Sequence, residues 1–181
     1  QGLTSGRDLL GNLFENVRKQ GALNLDGNSW AEVHDNESLD FGSGSWTFEC
    51  WIYWDGTASG EGIISRWYST ERGPLFYVTS GQVLRLYTGR TSGSSDAFLD
   101  AVTSLTNGWH HIIGTYDSND TKLKIYLDGD IDATSAVISS AYASNAQSLE
   151  IGRYNKTAVN SYTNQIAQPR IYNRALTAEE V

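Results

Sequence analysis

The chain has 181 residues, 13 basic against 21 acidic, for a formal charge of −8. It is long enough for one domain that removes roughly 70% of its unfolded surface from water. That charge balance argues against a nucleic-acid partner, which needs clustered Lys and Arg to neutralise phosphates; no apolar run reaches the length of a membrane span; and the lone cysteine, Cys50, excludes an internal disulfide.

Residues 1–20 differ from the rest and are expected to form a separate arm. Leu9, Leu10, Leu13, Phe14 and Val17 fall at helical spacing with polar residues between them. Such a segment either packs on its own domain or, through residues 8–18, docks on a neighbouring subunit. The chain has no methionine, as expected of a piece of something longer.

From residue 21 to 181 strands dominate, so the expected class is all-β. Eighteen Gly, two Pro and 12% aromatics suit a sheet protein with many tight turns. Leu23 and Leu25 alternate ahead of Asp26-Gly27, and Trp30 and Val33 precede a polar loop. In Ser45–Trp54, Trp46, Phe48, Cys50, Ile52 and Trp54 share one face, while Thr47, Glu49, Trp51 and Tyr53 share the other. The first set is the natural core face, which makes Cys50 a packed thiol.

Leu75–Thr79 and Gln82–Tyr87 flank Ser80-Gly81, which reads as a two-residue hairpin pairing Val78 with Val83 and Tyr77 with Leu84. One face then carries Leu75, Tyr77, Leu84 and Leu86, and the other Phe76, Val78, Val83, Arg85 and Tyr87. Both are apolar, so one is expected to be covered and the other to line a groove or partner surface.

The run GWHHIIGTYDSNDTKLKIYLDG, residues 108–129, reads as strand, polar connection, strand and turn. A two-residue Asp128-Gly129 turn would set Leu127 against Asp130 and Ile125 against Asp132. A three-residue loop, Asp128-Gly129-Asp130, instead pairs Leu127 with Ile131 and Ile125 with Ala133, and is the expectation because a one-residue slip flips every side chain. Leu149–Gly152 and Ile166–Tyr172 are the last strands, with Pro169 expected at an edge or bulge. In ALTAEEV, Thr177 and Glu180 form a capping box, and the expected helix stops one turn in.

The segments ALNLDGNSWAEV, SLDFGSGSWTFECWIYW, NGWHHIIGTYD, LKIYLDG, SLEIGR and RIYNRALTAEEV, in that order, resemble the laminin-G-like, concanavalin A-like jelly-roll family. The resemblance covers residues 22 to 181. It implies a two-sheet antiparallel jelly-roll sandwich, frequent sugar or protein binding, and in many members a structural calcium. Where the family reads aromatic-x-Gly-x-Ile-Asp, this chain has Tyr162-Thr163-Asn164-Gln165-Ile166-Ala167. Ala167 thus replaces an acid that is often a calcium ligand. Asp26 and Asn28 remain as oxygen donors for a calcium. The ending QIAQPRIYNRALTAEE also resembles laminin-G-like domains of tailed-phage structural proteins.

Some jelly rolls are glycosidases, which need two carboxylates flanking the scissile bond. Glu49 shares a face with Trp51 and Tyr53, but the next acid at that parity, Asp55, is already in a loop, so no catalytic residues are expected. His110 and His111 are adjacent on a strand and point to opposite faces; packing or hydrogen bonding is their expected role.

Sugars stack their apolar faces on flat rings while polar side chains take the hydroxyls. The candidate rings are Trp51, Tyr53, Trp67, Tyr68, Phe76 and Tyr87, with Glu49, Arg66, Arg85 and Arg90 as polar partners. The sequence therefore reads as a non-catalytic binding or structural domain on an exterior surface. The leading expectation is a phage virion protein with a glycan- or host-surface-recognition fold, and the alternative an extracellular bacterial carbohydrate-binding module. A glycoside hydrolase is disfavoured.

Overall fold

The computed structural model describes residues 21–57, 60–68, 72–89, 97–138, 145–156 and 161–181. The arm over residues 1–20 and Arg90 lie outside the described residues. Among the described residues, twelve strands run in chain order: β1 Leu23–Asn24, β2 Ala31–Val33, β3 Trp46–Trp54, β4 Glu61–Trp67, β5 Arg72–Val78, β6 Val83–Tyr87, β7 Phe98–Ser104, β8 Gly108–Asp117, β9 Lys122–Leu127, β10 Asp130–Thr134, β11 Leu149–Ile151 and β12 Gln165–Tyr172. They form two six-stranded sheets, sheet A in the order β1-β12-β3-β8-β9-β10 and sheet B in the order β2-β11-β4-β5-β6-β7. All named pairings are antiparallel, which gives the expected jelly-roll sandwich.

The core follows from strand parity. Trp46, Phe48, Cys50, Ile52 and Trp54 on β3 are all fully buried, and pack in one cluster with Ile64, Phe76, Val78, Leu84 and Leu86 of sheet B. Each large apolar side chain contributes about 1.5–3 kcal/mol on burial. Burial, with the Glu49 charge beside it, pushes the Cys50 thiol up, so it stays protonated and inert.

Both hairpin expectations need correction. In β5–β6, Val78 pairs with Leu84, Tyr77 with Arg85 and Phe76 with Leu86, one residue off the expected register. The loop holds three residues, Ser80-Gly81-Gln82: the Thr79 N–H donates to the Val83 carbonyl at 2.9 Å, and Gln82 takes a φ of 61°. The expected register would have sent Arg85 into the core beside Phe76 and Val78. The observed one turns Arg85 outward and keeps Phe76, Val78, Leu84 and Leu86 inside, avoiding the cost of a buried charge.

In β9–β10 the turn is the two-residue Asp128-Gly129, with φ of 54° and 93°, and Leu127 does pair with Asp130. This is the double positive-φ turn that matches strand twist, which Gly129 permits without strain. The acids nevertheless stay out of the core, because a bulge at Asp132 restores the inward pairing of Ala133 with Ile125. The bulge aims the Asp132 carboxylate across the sandwich edge, where it accepts from the Val102 N–H (2.6 Å) and Thr103 N–H (3.2 Å) of β7. One irregularity thus solves a packing conflict and joins the two sheets.

Pro169 sits in a bulge of β12, between the Ala167–Trp51 and Arg170–Glu49 pairs, where no ladder donor is required. Beyond β12 the expected helix is absent, and residues 178–180 form a turn instead. The Glu180 carboxylate still accepts from the Thr177 N–H at 3.0 Å and from Arg174 at 2.6 Å. This tail folds back on sheet A: Leu176 packs on Ile113 and Tyr126, and its N–H donates to Thr47 Oγ1 at 3.1 Å. No helix among the described residues is long and apolar enough to cross a membrane.

Candidate functional site

The register of β5–β6 places Tyr77, Arg85 and Tyr87 together on the outer face of sheet B. Around them run rings in contact. Trp67 and Tyr87 have centroids 4.9 Å apart, Tyr87 and Tyr77 6.0 Å at an 18° interplanar angle, and Tyr87 and Phe98 5.3 Å. Tyr154 adds a fifth ring, 5.8 Å from Tyr77. It reaches the face because β4 has Gly62 there: any Cβ would meet the Arg153 and Tyr154 backbone at 2.7 Å, so only glycine lets that segment cross.

Arg85 stands at the centre. Its Nε and Nη2 donate to the two carboxylate oxygens of Asp100, the latter at 2.6 Å. Its Nη1 lies 3.4 Å from the Tyr77 hydroxyl and 3.5 Å from that of Tyr87, and its plane covers Phe98 at 4.2 Å. The Asp100 hydrogen bond raises the guanidinium pKa despite burial, so Arg85 is always charged. Burial, with Tyr87 beside it, pushes Tyr77 up to about 12, leaving its hydroxyl protonated. Trp67, Tyr77, Tyr87 and Tyr154 are half-buried, and Phe98 is 47% exposed. The face thus offers stacking surfaces around a neutralised ion pair.

Of the sequence candidates, Trp67, Tyr87 and Arg85 come together here. Tyr68 sits beside Trp67 at the rim, with the Lys156 Nζ 5.4 Å from its ring. Two candidates are corrected. Phe76 faces the core and is fully buried, a consequence of the register. Arg66 is also fully buried and its donors are taken, by Asp35 (2.7 Å), Asp40 (3.1 Å) and the carbonyls of Leu39, Asn145 and Gln147; it is a clamp for loops. The sequence reading missed Tyr77, Phe98, Tyr154 and Asp100. The alternation Phe98-Leu99-Asp100-Ala101 was a legible strand signal, whereas Tyr154 follows β11 and no periodicity marks it.

Glu49, Trp51 and Tyr53 lie on the opposite side of the molecule, on the outer face of sheet A. Trp51 stacks on His111 at 4.9 Å, and Tyr53 meets Trp109 edge-on at 5.7 Å. Glu49 accepts from Arg170 Nη1 at 2.6 Å and the Tyr172 hydroxyl at 2.7 Å, and pairs with His111 Nε2 at 3.1 Å. Burial alone would raise its pKa, but those partners outweigh it and hold the carboxyl at about 2. Asp55 is likewise held low, chiefly by the Thr57 hydroxyl, which lies 2.5 Å from it. Neither carboxyl stays protonated at neutral pH as a glycosidase acid must.

His110 bridges Asp128 (Nδ1, 2.8 Å) and the Thr106 carbonyl (Nε2, 2.7 Å), tying two loops at the end of the sandwich. Asp26 Oδ1 accepts from the Asn28 N–H at 2.9 Å and the Ser29 hydroxyl at 2.8 Å, closing a turn on itself. Ala167 is packed under Trp51. Among the described residues no group of three or more His, Cys, Asp or Glu could hold a metal ion. Asp26 and Asn28 bring one carboxylate between them, and its Oδ1 is already engaged within the turn. A cleft between β1 and β11 is lined by Leu23, Ala31, Ile151, Ile166 and Pro169. It lacks the convergent polar groups of the Arg85 face.

Sheet order and paired outer faces define a two-sheet jelly roll of the lectin type. The chain belongs to the Laminin_G_3 family of the concanavalin A-like lectin/glucanases superfamily, whose model matches residues 25–181. Among known structures, domain 4 of AbnA, a GH43 extracellular arabinanase from Geobacillus stearothermophilus in complex with arabinotriose, is similar over 88% of this chain and 73% of that one, at 16% identity and a TM-score of 0.64. The CBM40 of a Ruminococcus gnavus IT-sialidase bound to α2,3 sialyllactose is similar over 84% and 94%, at 12% identity and a TM-score of 0.63. A candidate carbohydrate binding protein from Bacteroides ovatus is similar over 83% of this chain, at 18% identity and a TM-score of 0.64; the chain spans 42% of its length. At such identities the likeness is one of fold. No curated protein is a significant sequence match.

Proposed function

We propose that this protein is a non-catalytic glycan-binding domain that holds sugars on the outer face of sheet B. The observation that carries the reading is the aromatic face itself: five rings in contact around the Arg85–Asp100 pair. Rings supply the stacking surface that sugar C–H faces need, and the ion pair supplies fixed donors and acceptors. The fold likeness to sugar-bound domains supports the same reading. So does the state of Glu49 and Asp55, both carboxylates held ionised.

The test is a glycan array followed by titration calorimetry on the protein and its Trp67→Ala variant. The expected result is an affinity loss of about tenfold or more with the melting temperature little changed. Unchanged binding in that variant would move the site elsewhere, and reducing sugar released from any bound polymer would refute the non-catalytic assignment.

The finer assignment is an exterior structural protein of a phage virion, carried by the closing run QIAQPRIYNRALTAEE. Residues 8–18 would then contact neighbouring subunits. Electron microscopy of the native assembly tests this: copies in a fixed lattice support a virion protein. A soluble, glycan-binding monomer supports the alternative, an extracellular bacterial module.

A further inference from the structure

We propose that the outer face of sheet B selects uncharged glycans, with the Arg85–Asp100 pair reading a vicinal diol at its centre. The inference rests on glycan binding at that face. An arginine in a sugar site ordinarily suggests an acidic sugar, because its donors match a carboxylate two-for-two. Here that match is already made. Nε and Nη2 donate to both oxygens of Asp100, Nη1 lies against the Tyr77 and Tyr87 hydroxyls, and Phe98 covers the guanidinium plane.

A sugar carboxylate would have to displace Asp100 or share one cation with it, placing two anions side by side. At long range the formal charge of −8 also disfavours the approach of an acidic glycan. Two further cations at the Trp67 end lie against rings: Arg72 over Trp67 at 5.1 Å and Lys156 over Tyr68 at 5.4 Å.

A vicinal diol makes a different demand. One hydroxyl donates and its neighbour accepts, so the pair of hydroxyls needs an acceptor beside a donor. The exposed rim of the ion pair is that arrangement, with the Asp100 side chain 39% exposed and that of Arg85 25%. No net charge is desolvated when a diol bridges it, and the flanking Tyr87, Tyr77 and Trp67 rings take the sugar's apolar faces.

The experiment compares neutral probes (arabinotriose, soluble arabinan, galactomannan) with acidic ones (α2,3-sialyllactose, polygalacturonate). Titrations run at low and high NaCl on the full chain, Asp100→Asn and Arg85→Gln. The expected wild-type result is binding of at least one neutral probe, changing less than about twofold with salt, and none of either acidic probe. Asp100→Asn should lose about tenfold on the neutral probe and gain salt-sensitive affinity for polygalacturonate as Arg85 is released. Arg85→Gln should lose the neutral probe and gain nothing.

Salt-sensitive binding of an acidic probe by the wild type would overturn the selectivity while leaving glycan binding intact. Neutral binding unmoved in both variants would overturn the diol contact. Wild type that binds neither class would instead bring down the glycan reading beneath it. The wild-type comparison does not depend on any variant folding.

Discussion

The two outer faces of this sandwich are built from the same parts and end in opposite states. Each has an ion pair among aromatic rings: Glu49–Arg170 with Trp51, His111 and Tyr172 on sheet A, Arg85–Asp100 with Tyr77, Tyr87 and Phe98 on sheet B. On sheet A the carboxylate side chain is only 7% exposed, and the tail through Leu176 closes over the adjoining strands. On sheet B the Asp100 side chain is 39% exposed, and no described segment covers Phe98. Composition does not set the two faces apart here; what does is whether the carboxylate is closed in by its partners or open to solvent.

The largest effect that would break this comparison lies on sheet A. Removing the buried Glu49 carboxylate takes an acceptor from the Tyr172 hydroxyl and from His111 Nε2, while Arg170, 49% exposed, can turn to water. Glu49→Ala should therefore cost on the order of 2 kcal/mol, a melting-temperature loss of about 4–8 °C for a chain this size. Glycan binding by the folded protein should not change. The same carboxylate sets an acid limit. Because its folded pKa is depressed from 4.5 to about 2, its stabilisation is present above 4.5 and is lost as pH falls through 2. Thermal melts from pH 7 to pH 2 should show that loss in the wild type and not in Glu49→Gln. A Glu49 variant that melts normally but fails to bind glycan would invert the roles of the two faces.

The matching effect on sheet B appears in binding rather than stability. Phe98 is 47% exposed, so Phe98→Ala leaves little cavity, and its melting temperature should move by less than about 2 °C. Its ring covers the Arg85 guanidinium at 4.2 Å, so sugar affinity should fall by about 1 kcal/mol, or fivefold. Calorimetry and a thermal melt on the same preparation give both numbers. A large drop in melting temperature would make Phe98 a packing residue and weaken the contrast.

How much of this was legible follows the same division. The core face of β3 was readable because Trp46, Phe48, Cys50, Ile52 and Trp54 alternate without interruption, and burial enforces period two. Family membership was readable from six ordered segments. The aromatic outer face of sheet B was not, because it depends on register. Placing Gln82 in the β5–β6 loop shifts β6 by one residue against β5, so Tyr77 shares a face with Arg85 and Tyr87, and Phe76 shares the other with Leu84 and Leu86. Nothing local to Ser80-Gly81-Gln82 announces that, since any non-glycine residue at a φ of 61° is unusual. The decisive constraint was non-local: Arg85 needed an exit from the core and a partner on β7. The β9–β10 turn misled for a related reason. The pattern rejected Leu127 against Asp130, but a bulge at Asp132 satisfied both the turn and the core.

A smaller effect separates the two ends of the pH scale. Burial opposes the charged form of His110, yet its bonds to Asp128 and the Thr106 carbonyl outweigh that and raise its pKa above 6.5. A raised folded value means the stabilisation is complete below 6.5 and is lost as pH rises through the higher folded value. Melting temperature should therefore fall by a few degrees from pH 6 to pH 9, by about 1 kcal/mol of lost charged hydrogen bonding. Asp128→Asn should flatten that slope. Glu49→Gln should retain it, because Glu49 titrates at the other end. Neither slope should appear in neutral-glycan affinity, since Asp128 and Thr106 join loops beyond the sheet B face.

The smallest expected effect is the one the family resemblance would have made large. A structural calcium stabilises a fold by mass action, about 2.7 kcal/mol at a hundredfold excess over its dissociation constant. In this chain Ala167 stands where the family's acid would be, buried against Trp51, and Asp26 spends Oδ1 on Asn28 and Ser29. Millimolar calcium, and EDTA in its place, should each leave the melting temperature within about 1 °C of the untreated protein. A rise of several degrees, reversed by EDTA, would mean that main-chain carbonyls complete a site around Asp26 without a second carboxylate. That site would lie beside β1 and β12, adjoining the closed face, so even this outcome should leave sugar affinity at Arg85 unchanged. Calcium-dependent glycan binding would instead couple the two faces and end the argument that they act separately.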